Sequence, residues 1–303
     1  MNERNPALGI AAIVAASACF AALDTTTRYL GALLAVQIML WSRYAVHTLV
    51  MGTWIALDRR RSFRTRHPGF QALRGALLLG ASTLAFFALQ HLPVAEFTAI
   101  VMLTPILVTL LAGWWLREAV SPLRWALVVG GFVGTLIIIR PGSGLFGWAV
   151  LLPLGAALAN AVFQLISSHF AARESAVTTN FYTGLVGTVV LTPILLATSA
   201  NLQSSLLAQP TSILLLLLML GVFGTAGHLM LVTSLGLAPT ATLMPFLYTQ
   251  IAFAALGGWL VFRRVPDVWS WLGMCVIAVC GAMSAFQNVR RPLPAVAAAT
   301  IAD

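Results

Sequence analysis

Few side chains in this sequence can do chemistry, and most of them lie inside long apolar runs. In the first run, Ser17, Phe20, Asp24 and Arg28 recur at spacings of three and four, which puts them on one face of a helix. Asp24 and Arg28 stand at i, i+4, so each can neutralise the other. That fits a salt bridge at the outer end of the helix. The functional alternative is an outer gate, or proton coupling through Asp24. A self-neutralised acid near a helix end is a poor proton relay, which favours the salt bridge. Arg43 lies inside the second run, with His47 one turn later. A central Arg costs roughly 2.5–3.5 kcal/mol on insertion. Arg43 therefore has to snorkel, pair with a helix end or with Asp24, or bind a substrate carboxylate.

A second stripe, Asn160, Phe163, Gln164 and Ser167, falls at helical spacing in a later run. Amides facing lipid are unfavourable, so this face should look inward, bonding a neighbouring helix or lining a cavity. Pro105 and Pro245 each interrupt a run and free backbone carbonyls, giving a fixed kink or a hinge. Thr98 and Met102 share the face of Pro105. Thr242, Phe246 and Thr249 share that of Pro245, with Tyr248 and Gln250 beside it. Phe86 and His228 are further candidates. Their aromatic and Met side chains can stack on a flat substrate or simply pack, and Trp41, Tyr44, Trp114 and Trp259 can instead form an interfacial belt. No GxxxxGKS-type phosphate loop is present, and no His, Cys and carboxylate spacing suits a metal, so no ATP drive, metal or other cofactor is expected. Cys19, Cys275 and Cys280 lie in apolar runs and read as packing residues.

The elements that position these residues follow from composition. Of 303 residues, 60% are hydrophobic and only 8% charged, and mean hydropathy is +0.94. A soluble domain cannot cover so much apolar surface with so few charges, so the chain is a polytopic membrane protein. The net charge of +9 is carried by Arg alone, and these residues flank apolar runs, which points to topology and away from nucleic acid. Ten segments reach the length of a span, about 20 residues: 7–28, 33–57, 70–90, 94–117, 123–140, 146–170, 178–198, 211–232, 238–262 and 268–287. The loop with Arg59, Arg60, Arg61, Arg64 and Arg66 should be cytoplasmic, which places both termini inside. Arg140, Arg263 and Arg264 then fall outside, against the rule. The basic loop reads as a topology determinant, or on a sharper reading as a lipid or partner site.

One stretch occurs twice. A constant offset pairs Gly80 with Gly224, Gly113 with Gly257, Trp115 with Trp259, Pro122 with Pro266 and Trp125 with Trp269. Five spans precede the turn at Arg140–Gly144 and five follow it. An odd number per repeat inverts the second relative to the first. The expected fold is thus an all-α polytopic membrane protein of ten transmembrane helices in two inverted five-helix repeats. Residues 1–143 form the first repeat, 144–291 the second, and 292–303 a disordered tail.

With its T-P break (Thr104, Pro105), the GWWLRE ending through Glu118, and PFLYTQ and GGWLVF in the second copy, the sequence resembles the drug/metabolite transporter superfamily. Within it the chain is similar to the EamA-type permeases, and among these to the YddG-type exporters of aromatic and other neutral amino acids. It departs from the family where Arg263 and Arg264 replace the usual acidic residue. The resemblance implies an alternating-access carrier whose cavity is lined by the first, third, fourth, sixth, eighth and ninth helices. It also implies export of bulky neutral amino acids across a bacterial inner membrane, by a monomer whose partners are its substrate and the bilayer. With Asp24 neutralised, facilitated diffusion is expected over proton antiport. Export of nucleosides or cationic drugs is the alternative, and a membrane enzyme lacks the clustered catalytic side chains it needs.

Overall fold

The computed structural model describes residues 6–58, 61–115, 122–140, 147–170, 176–198, 209–237, 243 and 246–290. They form α1 (Pro6–Leu30), α2 (Val36–Leu57), α3 (Pro68–His91), α4 (Val94–Val101), α5 (Thr104–Trp115) and α6 (Pro122–Ile139). A 3₁₀ turn (Gly147–Val150) then leads into α7 (Leu151–Phe170), α8 (Ala176–Thr198), α9 (Thr211–Leu237), α10 (Thr249–Phe262) and α11 (Val268–Arg290). No strand occurs among the described residues. Prolines open α3 and α6 and precede α4 and α9, where a missing N–H costs nothing because first-turn donors lack intrahelical partners anyway. The C-terminal tail, and the Arg117 and Glu118 ending, lie outside the described residues.

The chain is an all-helical, ten-span membrane protein built as two inverted repeats. Among the described residues, five helices are long and apolar enough by themselves to cross a bilayer, and four shorter apolar helices accompany them. The fourth span is broken into α4 and α5 at Met102–Leu103. Pro105 has no N–H for the Val101 carbonyl, and the Thr104 hydroxyl supplies the missing donor at 2.7 Å.

Packing follows the repeat. α1 lies against α9 and α10, as α7 lies against α3 and α5. α2 packs on α9, as α8 packs on α3. The pairs α2–α8 and α6–α11 each meet their own counterpart. Lipid offers no hydrophobic drive between helices, so small residues let the backbones close. At the α6–α11 seam a Cβ on Gly134 would stand 2.9 Å from the Gly273 carbonyl oxygen. At α2–α8, Gly184 and Gly187 lie against His47, Thr48 and Tyr44, and the Thr48 and Thr188 hydroxyls hydrogen-bond at 3.0 Å.

Candidate substrate chamber

Asp24, on α1, is held by neutral donors from two other helices. Gln250 Nε2 of α10 donates to its Oδ2 at 3.2 Å, and Thr98 Oγ1 of α4 at 3.5 Å. The expected Asp24–Arg28 pair is not made. Arg28 Nη1 donates instead to the Leu89 carbonyl at 3.0 Å and to the Leu92 carbonyl, and its guanidinium lies 5.4 Å from the Phe262 ring. Spacing did place both groups on one face. However, the last-turn carbonyls of α3 lack helical partners, and a guanidinium has donors enough to serve them. The premise that Asp24 is self-neutralised therefore fails, and with it the argument against proton coupling.

Arg43 does not snorkel. Its Nη1 donates to Ser82 Oγ on α3 at 3.0 Å, and Ser82 also accepts from the Tyr44 hydroxyl at 2.9 Å. The guanidinium lies 5.5 Å from the Tyr44 ring and 5.6 Å from that of Phe86. Tyr44 is 2% exposed, so it is no interfacial residue. Beside Arg43, Gly224 leaves room for the side chain, since a Cβ there would stand 3.2 Å from Nε. His228 Nδ1 donates to the Gly224 carbonyl at 2.9 Å and meets Phe20 edge-on at 5.1 Å. His47 Nε2 donates to the Asn180 carbonyl at 3.1 Å, its ring 6.3 Å from that of His228. Arg43 is the cation whose field reaches Asp24, His47 and His228 together. Phe20, Asp24, Arg43 and His228 are only half-buried although they sit mid-helix in the bundle. This partly accessible polar cluster between α1, α2, α3 and α9, with α4 and α10 reaching Asp24, is the candidate chamber.

The other expected positions divide. Phe86 (1% exposed) and Thr98 (0%) are buried beside the chamber. Ser17 is buried and donates to the Ile13 carbonyl at 3.0 Å, and Thr249 donates to the Phe246 carbonyl at 2.6 Å, so both hydroxyls are satisfied within their own segments. Phe246 is half-buried and packs near Ile13 and Leu243. Met102 and Tyr248 belong to one buried apolar cluster with Ile138 and Met274, and Tyr248 packs closely on Gly281. In the α7 stripe, Asn160 is half-buried and Phe163 buried, whereas Gln164 is exposed. Gln164 shares its helical face with the buried Pro153 and Ala157, so the bundle opens along that side of α7. Pro245 and Thr242 lie outside the described residues.

Arg74 is not among the residues that sequence reasoning singled out, and it carries a network of its own. Its Nε donates to Ser167 at 2.7 Å, and its Nη1 to Thr183 Oγ1 at 2.6 Å and the Thr179 carbonyl at 3.0 Å, with the guanidinium 4.7 Å from the Phe163 ring. The signal was present: an Arg seven residues into an apolar helix has to find partners. Ser82 carried no signal at all, since one Ser in an apolar run is ordinary.

The EamA-like transporter family matches residues 7–140 and 147–286, one match to each half of the chain. The chain belongs to this family. It is 28% identical to a riboflavin transporter of Brucella anthropi, over 88% of this chain and 94% of that one. It is 26% identical to an S-adenosylmethionine uptake transporter of Rickettsia bellii, over 88% and 90%. A protein of known crystal structure shares the fold, with a TM-score of 0.59 at 20% identity, covering 94% of this chain and 96% of that one. Neither named relative is named for amino acids, so the narrower likeness to aromatic amino acid exporters gains nothing from them.

This EamA-family chain has a second cavity, of about 540 Å³, at the end of the bundle where α1, α3, α6 and α10 finish. Arg140, Arg263 and Arg264, the three residues that depart from the charge rule, all line it. Arg140 pairs with Asp267 at 2.6 Å. The Ser270 backbone N–H, then its hydroxyl and Arg140, hold the Asp267 carboxyl below the ordinary carboxylate range. Among the described residues, no group of three or more His, Cys, Asp or Glu comes together to hold a metal.

Proposed function

We propose that this chain is a secondary carrier of a bacterial inner membrane, with both termini cytoplasmic, that moves a small flat heteroaromatic metabolite of the riboflavin class. What supports the reading most is the chamber itself, where the Phe20, Phe86 and His228 rings stand around Arg43 and Asp24. Such rings stack on a planar ring system. The carboxylate and guanidinium, already engaged with neutral groups, have capacity left for its edge acceptors, N–H and hydroxyl groups. The likeness to a riboflavin transporter along nearly the whole chain points the same way. Residues 1–143 and 144–291 act as the two rocking halves. The break at Met102–Leu103, with Pro245 as its counterpart, absorbs the motion. Asn160, Phe163 and Gln164 lie along the exit path.

A second reading is the carriage of aromatic amino acids outward. It rests on one feature: an acid and a base face the same chamber, suited to an ammonium and a carboxylate. One experiment separates the two. The protein is reconstituted in liposomes, and uptake of labelled riboflavin and of labelled tryptophan is followed with and without a pH gradient, against empty liposomes. Saturable riboflavin uptake that unlabelled tryptophan does not compete supports the first reading, and the reverse pattern supports the second. Transport of neither substrate under either condition refutes both. Acceleration by an imposed pH gradient identifies proton coupling, and Asp24 is its carrier if Asp24→Asn abolishes only the acceleration.

A further inference from the structure

The charges around the second cavity are unevenly used. Arg140 pairs with Asp267 through Nη2, although its buried Nε has no partner. Arg28 is engaged with two carbonyls and the Phe262 ring. Three groups remain. Glu96 is only 6% exposed and lines the cavity; Ser270 engages its carboxyl and Arg28 lies near it, but its Oε2 has no partner. Arg263 and Arg264 are exposed on the same lining, and neither guanidinium makes a hydrogen bond or ion pair among the described residues. A buried carboxylate oxygen without a partner is expensive, and where one persists it wants a ligand or ion to complete it. A simple anion would satisfy the two Arg side chains but meet Glu96. A simple cation would satisfy Glu96 but meet the Arg side chains.

We infer that this cavity is a peripheral binding site for a zwitterionic amino-carboxylate, with its ammonium on Glu96 and its carboxylate between Arg263 and Arg264. The inference is separate from the riboflavin reading of the central chamber. Guanidinium forks suit a carboxylate, and the ammonium donates to the free Oε2. At about 540 Å³ the cavity lies within the range of small-molecule sites, roughly 300–1,000 Å³, so it holds a side chain as well as the charged head. The site also gives Arg263 and Arg264 a common occupation, where lipid topology gave them none.

The test uses the full chain in lipid nanodiscs and three probes on one skeleton: L-phenylalanine, 3-phenylpropionate, which lacks the ammonium, and 2-phenylethylamine, which lacks the carboxylate. Binding is measured by calorimetry in the native chain and in Asp24→Asn, which removes the chamber's carboxylate and none of the cavity's lining residues. Phenylalanine is expected to bind at least tenfold tighter than either fragment, and to keep that preference in Asp24→Asn. Glu96→Gln should reduce phenylalanine to the affinity of 3-phenylpropionate. The double variant Arg263→Gln/Arg264→Gln, at exposed positions that do not threaten folding, should reduce it to that of 2-phenylethylamine. Equal binding of phenylalanine and 3-phenylpropionate would make this an anion site and overturn the proposal. Binding lost in Asp24→Asn but indifferent to Glu96→Gln would belong to the chamber and overturn it too, as would no binding of any probe.

Discussion

Replacing Asp24 with Asn is the sharpest probe of the chamber. The carboxylate accepts from Gln250 at 3.2 Å and Thr98 at 3.5 Å, and Arg43 supplies the nearby positive field. Asn keeps the shape but loses the charge, and one of its two polar atoms becomes a donor. If its oxygen faces Gln250, the amide N–H₂ faces the chamber where substrate had met an acceptor. Hydrogen bonds to charged groups contribute about 1.5–3 kcal/mol. At about 1.4 kcal/mol per factor of ten, Asp24→Asn should weaken substrate affinity about 10- to 150-fold. Thermal stability should change little, because Gln250 and Thr98 retain an acceptor. The assay is saturable uptake into liposomes by wild type and variant, with the unfolding midpoint measured in parallel. Unchanged uptake and affinity in a folded Asp24→Asn protein would refute a substrate role for Asp24. A large fall in the midpoint alone would show that Asp24 is a structural tie between α1, α4 and α10.

Three further outcomes follow from the packing. Arg74→Lys keeps the charge but cannot reach Ser167, Thr183 and the Thr179 carbonyl as one planar fork. It should destabilise the protein by about 1–3 kcal/mol, read as a lower unfolding midpoint in detergent. Gly134→Ala puts a methyl group 2.9 Å from the Gly273 carbonyl oxygen, so α6 and α11 must separate, at about 1–3 kcal/mol by the same measurement. The Arg140–Asp267 pair is partly solvent-exposed and should contribute less than about 1 kcal/mol. Because Asp267 titrates below its unfolded value, that contribution is present above about pH 4 and fades as pH falls further. The difference in midpoint between wild type and Asp267→Asn should therefore shrink below about pH 4.

What the sequence by itself determined was everything that depends on transfer between water and lipid. Apolar runs of membrane length had to become helices, because a helix satisfies its own backbone. Their number and the repeated Gly, Trp and Pro positions carried the inverted duplication. Faces were legible within a helix: Phe20 and Asp24 share one side of α1, where Phe20 meets His228 and Asp24 meets Gln250 and Thr98. What only the tertiary structure decided was the partner of each polar group. Asp24 and Arg28 were one turn apart and still parted, because free carbonyls at the end of α3 and the donors Gln250 and Thr98 lay closer to hand. Arg43 found Ser82, Arg74 found Ser167 and Thr183, and Glu96 was left open beside Arg263 and Arg264. Each of these relations joins helices far apart in the chain. Periodicity fixes which way a side chain faces on its own helix, but not which neighbour it meets there.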